Sequence, residues 1–189
     1  MTRIATSILA LALITYAPAG AYPGSWSNHF YTTDSSERDR LVQAGWRDES
    51  DVDPFYVCEE QIADTVLLHR FYDSRIGDYF YATDASDVHN ALGAGYVEQT
   101  ADHPLMFVFT TPRPAHAPAD DVAVLVRFWN PRIADHFYAT DLEDARRALS
   151  AGYQKDRTDA IYVLTAPVAC APGVAAHRMF RLYRAPPSP

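Results

Sequence analysis

Three aspartates, Asp34, Asp84 and Asp141, close three nearly identical stretches of this chain. Carboxylates recurring in matched surroundings could serve as the paired acids of glycoside hydrolysis. Five residues upstream of each, His29 and His136 fill a repeated position and Tyr79 fills it in the middle copy. Three histidines about one axis would suggest zinc, but the tyrosine breaks that set and favours packing or hydrogen-bonding roles. Arg70, Arg127 and Arg181 also recur. Guanidinium groups grip ligands bidentately, or else stack on rings and pair with acids inside a fold. The run Asp48-Glu49-Ser50-Asp51-Val52-Asp53 has oxygens enough for calcium. It lacks the glycine and closing glutamate of a calcium loop, which favours a solvated turn. No Gly-x-Ser-x-Gly elbow, His-Glu-x-x-His helix or phosphate-binding glycine loop occurs.

The aspartates have a simpler employment. An acid–base pair needs two differently tuned groups, and three equivalent ones lack that asymmetry. Each aspartate is followed three residues later by another acid (Glu37, Asp87, Asp144), as in a capping box at a helix start. Apolar residues at Val88, Ala91, Leu92 and at Ala145, Ala148, Leu149 form a stripe that predicts a core-facing helix side. Gly45, Gly95 and Gly152 then stand at one fixed distance beyond the caps, where a left-handed helix end is expected.

The elements that must hold these residues repeat with them. Asn28 to Asp34, Asp78 to Asp84 and Asp135 to Asp141 are three copies of one motif, at a spacing of roughly 50 residues that marks a repeat architecture. In the second copy, Val66–Tyr72, a turn at Asp73–Gly77 and Tyr79–Thr83 read as a β-hairpin. Return strands are predicted at Phe55–Val57, Met106–Phe109 and Ile161–Val163. The first copy lacks its leading strand. Met179-Phe180-Arg181-Leu182-Tyr183 carries the missing Arg-apolar-aromatic pattern at the far end of the chain, and is expected to complete that copy. The fold class expected is α+β, mostly β: three pseudo-threefold repeats of hairpin, short helix and return strands. The C-terminal strand closes them into a propeller-like ring, leaving no repeat end uncapped. Repeat 1 comprises residues 22–60 plus 176–184, repeat 2 residues 64–111 and repeat 3 residues 122–166, together one domain over 22–189.

Residues 1–21 read as a signal peptide: Arg3, an apolar run from Ile8 to Ile14, and Ala19-Gly20-Ala21 as the cleavage site. A secreted, extracellular protein is therefore expected, with no membrane span. Cys58 and Cys170 are the only cysteines, and two in a secreted chain are expected to pair. A net charge of −8 argues against nucleic acid and anionic membranes as partners.

Arg-Phe-x-Asn followed by Asp-His-Phe-Tyr-x-Thr-Asp, with a helix ending Ala-Gly-Tyr, resembles the family known as domain of unknown function 5648. The resemblance covers essentially the whole of residues 22–189. It implies an extracellular accessory module, alone or attached to hydrolases, and carries over no catalytic residue. Asn28 in place of Asp and Tyr79 in place of His depart from the pattern.

The function expected is a secreted, non-catalytic binding module for a polysaccharide or glycoprotein glycan, acting as a monomer without cofactor or metal. Its ligand-binding residues would be Arg70, Tyr72 and Tyr79; Arg127, Trp129 and His136; and Arg181, Tyr183 and His29. The alternatives are a small secreted hydrolase with an unrecognised site and a structural or protein-interaction domain.

Overall fold

The computed structural model describes residues 27–156 and 161–185. The signal peptide, the start of repeat 1 and residues 157–160 of repeat 3 lie outside them. The chain runs through β1 (Asn28–Thr32), α1 (Ser35–Gln43), β2 (Arg47–Asp48) and β3 (Tyr56–Cys58). Next come β4 (Thr65–Leu67), β5 (His69–Asp73), β6 (Asp78–Ala82), α2 (Ala85–Ala94), β7 (Val97–Glu98) and β8 (Phe107–Phe109). Then β9 (Val122–Asn130), β10 (Asp135–Ala139), α3 (Leu142–Ser150), β11 (Gln154–Lys155) and β12 (Ile161–Leu164) follow, and β13 (Ala176–Arg178) and β14 (Phe180–Arg184) end the described chain.

The architecture is mostly β, with antiparallel sheets and three short α-helices. β5 pairs with β6, β9 with β10, and β14 with β1, so the C-terminal strand supplies the partner that the first hairpin lacks. The registers correspond: Arg70 faces Tyr81, Arg127 faces Tyr138 and Arg181 faces Tyr31 across the strands. Below the hairpins, β3, β8 and β12 each pair with the other two. No barrel or propeller closes among the described strands, which lie in one eight-stranded and two three-stranded sheets. The propeller-like part of the expected ring does not hold for these sheets: β3, β8 and β12, one strand from each copy, pair within a single sheet, whereas propeller blades keep separate sheets. The hairpins themselves meet through side chains.

Those side chains are tyrosines. The Tyr31 hydroxyl donates to the carbonyl of Tyr138 (3.1 Å), that of Tyr138 to the carbonyl of Tyr81 (2.9 Å), and that of Tyr81 to the carbonyl of Tyr31 (2.6 Å). Each hydroxyl also accepts from the backbone N–H of the same strand it reaches from the other direction: Tyr138, Tyr81 and Tyr31 donate to Tyr31, Tyr138 and Tyr81. Six hydrogen bonds thus close a cycle, with the rings edge to face at 5.4 to 5.7 Å. Around them pack Phe55, Leu68, Met106, Leu125, Val163 and Met179. The hairpin face opposite the repeated phenylalanines is therefore a second core layer, not a surface.

Each helix starts as its aspartate dictates. Asp34 accepts from Ser36 N–H, Asp84 from Ser86 and Asp87, and Asp141 from Asp144. Gly45, Gly95 and Gly152 have φ near +91° to +93°, the left-handed geometry that a side chain would strain. The acid after each cap turns inward to a neighbouring arginine. That rotation sets the helix face. Ala91 and Ala148 are buried with Val88 and Ala145 beside them, whereas Leu92 and Leu149 are 49% and 52% exposed, contrary to the predicted stripe. Cys58 and Cys170 form a disulfide 112 residues apart in sequence, within a small apolar cluster around Phe107, Phe109 and Leu164.

Candidate functional site

The repeated arginines bind the copies together. Arg70 is 2% exposed, donates to Glu37 (2.9 Å) and lies over the Phe30 ring. Arg127 bonds Asp87 and Asp156 (both 2.7 Å) over Phe80. Arg181 bonds Asp144 over Phe137, with Glu49 at 3.6 Å. Every guanidinium reaches the inward helix acid and phenylalanine of an adjacent copy. Burial works against their charge, but the core tyrosines and paired acids more than offset it and raise their pKa values. These three residues are structural staples. Of the three, Arg181 also lines a cleft.

A second interlock lies nearer the surface. Asp135 is fully buried and accepts from three donors: the His29 N–H (2.9 Å), His29 Nδ1 (2.7 Å) and the Tyr153 hydroxyl. Asp78, equally buried, accepts from the His136 N–H (2.9 Å), His136 Nδ1 (2.6 Å) and the Tyr96 hydroxyl (2.6 Å). Burial raises the Asp78 pKa, and His136 opposes that shift. Burial and the adjacent aspartates push the Tyr96 and Tyr153 phenols far above their ordinary range, so both remain donors. Aspartate, histidine and tyrosine belong to different parts of the motif, and proximity between copies makes them a unit.

The third junction replaces all three together. Asn28 stands for the aspartate, Tyr79 for the histidine and Trp46 for the tyrosine. Tyr79 packs edge-on to Phe30 at 4.6 Å, Trp46 packs on the same ring, and Asn28 Nδ2 donates to the carbonyl of Gly77. The two departures from the motif are thus one exchange across a single interface, a polar triad for an aromatic packing.

Two clefts open beside the polar junctions. The first, about 440 Å³, is lined by His29, Tyr183, Arg47, Glu49, Ile133 and Tyr153 among others. The second, about 510 Å³, is lined by His136, Trp129, Tyr96, Ile76, Arg75 and Asp156 among others. In each, a cross-strand ring lies against the imidazole: Tyr183 on His29 at 4.8 Å and Trp129 on His136 at 4.4 Å. Tyr72 and Tyr79 make the corresponding stack at 4.5 Å and line neither cleft.

Of the nine expected contact residues, His29, Tyr183 and Arg181 therefore meet at one cleft, and Trp129 and His136 at the other. Glu49, Asp156, Tyr96 and Tyr153 escaped the sequence reading as cleft residues, Glu49 having entered it only within the acidic run. Their signal was present: Glu49 and Asp156 each stand four residues after a helix-ending glycine, where the second copy has Gln99. The acidic run is no uniform solvated turn either, because Asp53 is buried and accepts from the Thr140 N–H (2.6 Å). Among the described residues, no three His, Cys, Asp or Glu side chains are placed to hold a metal, and no helix is long and apolar enough to cross a membrane.

No curated protein and no solved structure matches this chain. A family model does match, over residues 20–163 and again over residues 108–186, the second span taking in β14. The chain belongs to the domain of unknown function family DUF5648.

Proposed function

We propose that this is a secreted, non-catalytic module that binds carbohydrate of a polysaccharide or glycoprotein. The observation that carries the reading is the pairing, in each of two clefts, of a part-exposed aromatic ring with an imidazole and an acid. Flat aromatic faces stack on the apolar side of a sugar ring, at little entropic cost. Imidazole, carboxylate and guanidinium groups at the margin can exchange hydrogen bonds with its hydroxyls. The apolar run and cleavage site near residue 20, with a disulfide that belongs to oxidising compartments, support secretion. The cyclic tyrosine and arginine contacts support the threefold, ring-like reading of the copies. On that reading, equivalent sites on one scaffold suit a repetitive polymer through avidity.

The test is retention on insoluble cell-wall polysaccharides, with Trp129→Ala and Tyr183→Ala beside the wild type, each first shown to be folded. Wild-type retention that weakens at least several-fold in both variants is expected. No retention, or variants that bind as well as wild type, would remove the reading.

A further inference from the structure

The two clefts share a core of repeat-equivalent residues. Tyr183 matches Trp129, His29 matches His136, Tyr153 matches Tyr96, Ile133 matches Ile76, and Glu49 matches Asp156. The last pair is fixed by backbone as well: Glu49 N–H donates to the carbonyl of Arg181 (2.8 Å), and Asp156 N–H to that of Arg127 (3.0 Å). Gln99 makes the same bond to Arg70 (2.7 Å), which places an amide where the other two junctions have a carboxylate.

We infer that these clefts are one site built twice, each taking a single neutral sugar ring between its aromatic face and its histidine Nε2 edge, and that the Asn28–Tyr79–Trp46 junction is no site. The inference rests on the carbohydrate reading above and specifies it further. Aspartate holds each imidazole by Nδ1, so in the neutral ring Nδ1 carries the proton and Nε2 is left as an acceptor. His29 Nε2 lies 3.8 Å from Glu49 Oε2, beyond hydrogen-bond reach, and since both are acceptors, two adjacent hydroxyls of one sugar ring can donate one to each. The rims favour a neutral ligand because their charges already satisfy one another. Arg47 donates to Glu49, and Arg75 donates twice to Asp73 (3.0 and 2.6 Å). At the third junction, Tyr79, Trp46 and Gln99 offer neither an imidazole nor an acid.

The purified protein is titrated with cellotriose, xylotriose, laminaritriose and chitotriose, chosen too short to bridge two sites. Calorimetry gives stoichiometry and long-range ¹H–¹⁵N spectra follow the imidazoles. At least one trisaccharide is expected to bind at two sites per chain. It should move the Nε2 signals of His29 and His136 and leave the other histidines in place. Trp129→Ala and Tyr183→Ala, which spare both Asp–His pairs, should each reduce two sites to one, and Tyr72→Ala should keep two. Three sites, unmoved His29 and His136 signals on binding, or loss confined to Tyr72→Ala would overturn the two-site assignment and leave carbohydrate recognition standing. No heat and no shift with any of the four would overturn both.

Discussion

The junctions built on Asp135 and Asp78 and the one built on Asn28 solve the same problem with opposite chemistry. All three must fix one hairpin end against the next. Two do it with a buried carboxylate that accepts three hydrogen bonds. The other does it with aromatic rings and an amide. A buried charge of that kind contributes little net stability over an apolar packing of the same volume, yet it is costly to disrupt. What the charged version adds is a held imidazole edge in an accessible cleft. The difference teaches that a hairpin end can be fixed without a buried charge, which supports the recognition role proposed for the polar junctions.

The comparison can be broken most severely at the first copy, which takes part in both kinds of junction. The first copy is made from two distant chain segments, and the Cys58–Cys170 bridge ties them together. Opening this loop by Cys58→Ser with Cys170→Ser should remove about 4–5 kcal/mol in the chain-entropy account. Urea melts measure it, and titration of the native wild type should find no free thiol. A double variant as stable as wild type would show that β14 needs no tether to hold either junction.

Next in size is the contrast between Asp135 and Asn28. Asp135→Ala strands three buried donors and should cost about 3–5 kcal/mol. Asn28→Ala removes one neutral hydrogen bond and should cost about 1 kcal/mol. The sharper form moves one solution into the other place. Combining Asp135→Asn, His29→Tyr and Tyr153→Trp gives the first junction the residue types of the third. The triple variant should be markedly more stable than the sum of its single changes, because residues in one contact network are not additive. Simple additivity in denaturant midpoints would mean that the third junction is a degraded copy and not an alternative packing.

How much of this the sequence disclosed follows from the range of each interaction. The cap aspartates and helix-ending glycines were legible because their chemistry is local, complete within a few residues. The strand partner of β1 was legible at the far terminus because Arg181 repeats a pattern already seen twice. The arginine staples were half legible: they were expected as ligand contacts, with acid pairing and ring stacking as the alternative, and nothing local showed that each reaches the next copy. The inward turn of Glu37, Asp87 and Asp144 follows from that reach, and it is why Leu92 and Leu149 face solvent. The junction exchange was visible only as unrelated departures, at Asn28 and Tyr79. Sequence spacing carries no record that these two residues meet, since about 50 residues separate them.

A smaller effect is expected at the caps. Asp84→Ala and Asp141→Ala should each destabilise by about 0.5–2 kcal/mol and leave trisaccharide stoichiometry unchanged, since neither lines a cleft. Loss of binding with stability intact would return these carboxylates to the functional site.

The last test changes nothing at neutral pH and reads the junctions through their phenols. Burial raises Tyr31, Tyr81 and Tyr138 above the ordinary tyrosine range, and burial with a neighbouring aspartate does the same for Tyr96 and Tyr153. A phenol whose pKa is higher folded than unfolded binds its proton more tightly in the native state. Its contribution to stability is therefore whole below about pH 10, the unfolded value, and declines as pH rises above it. Absorbance at 295 nm should then show five tyrosines silent while the fold persists, appearing together when alkali unfolds it. Each Asp–His junction accounts for one of the silent groups, and the third junction, with Trp46 at that position, accounts for none. Replacing Tyr96 or Tyr153 by Phe should lower the silent count by one each, and Trp46→Phe should not change it. If Tyr96 and Tyr153 titrate near pH 10 with native circular dichroism, the carboxylates beneath them are not buried acceptors, and the distinction between the junctions falls.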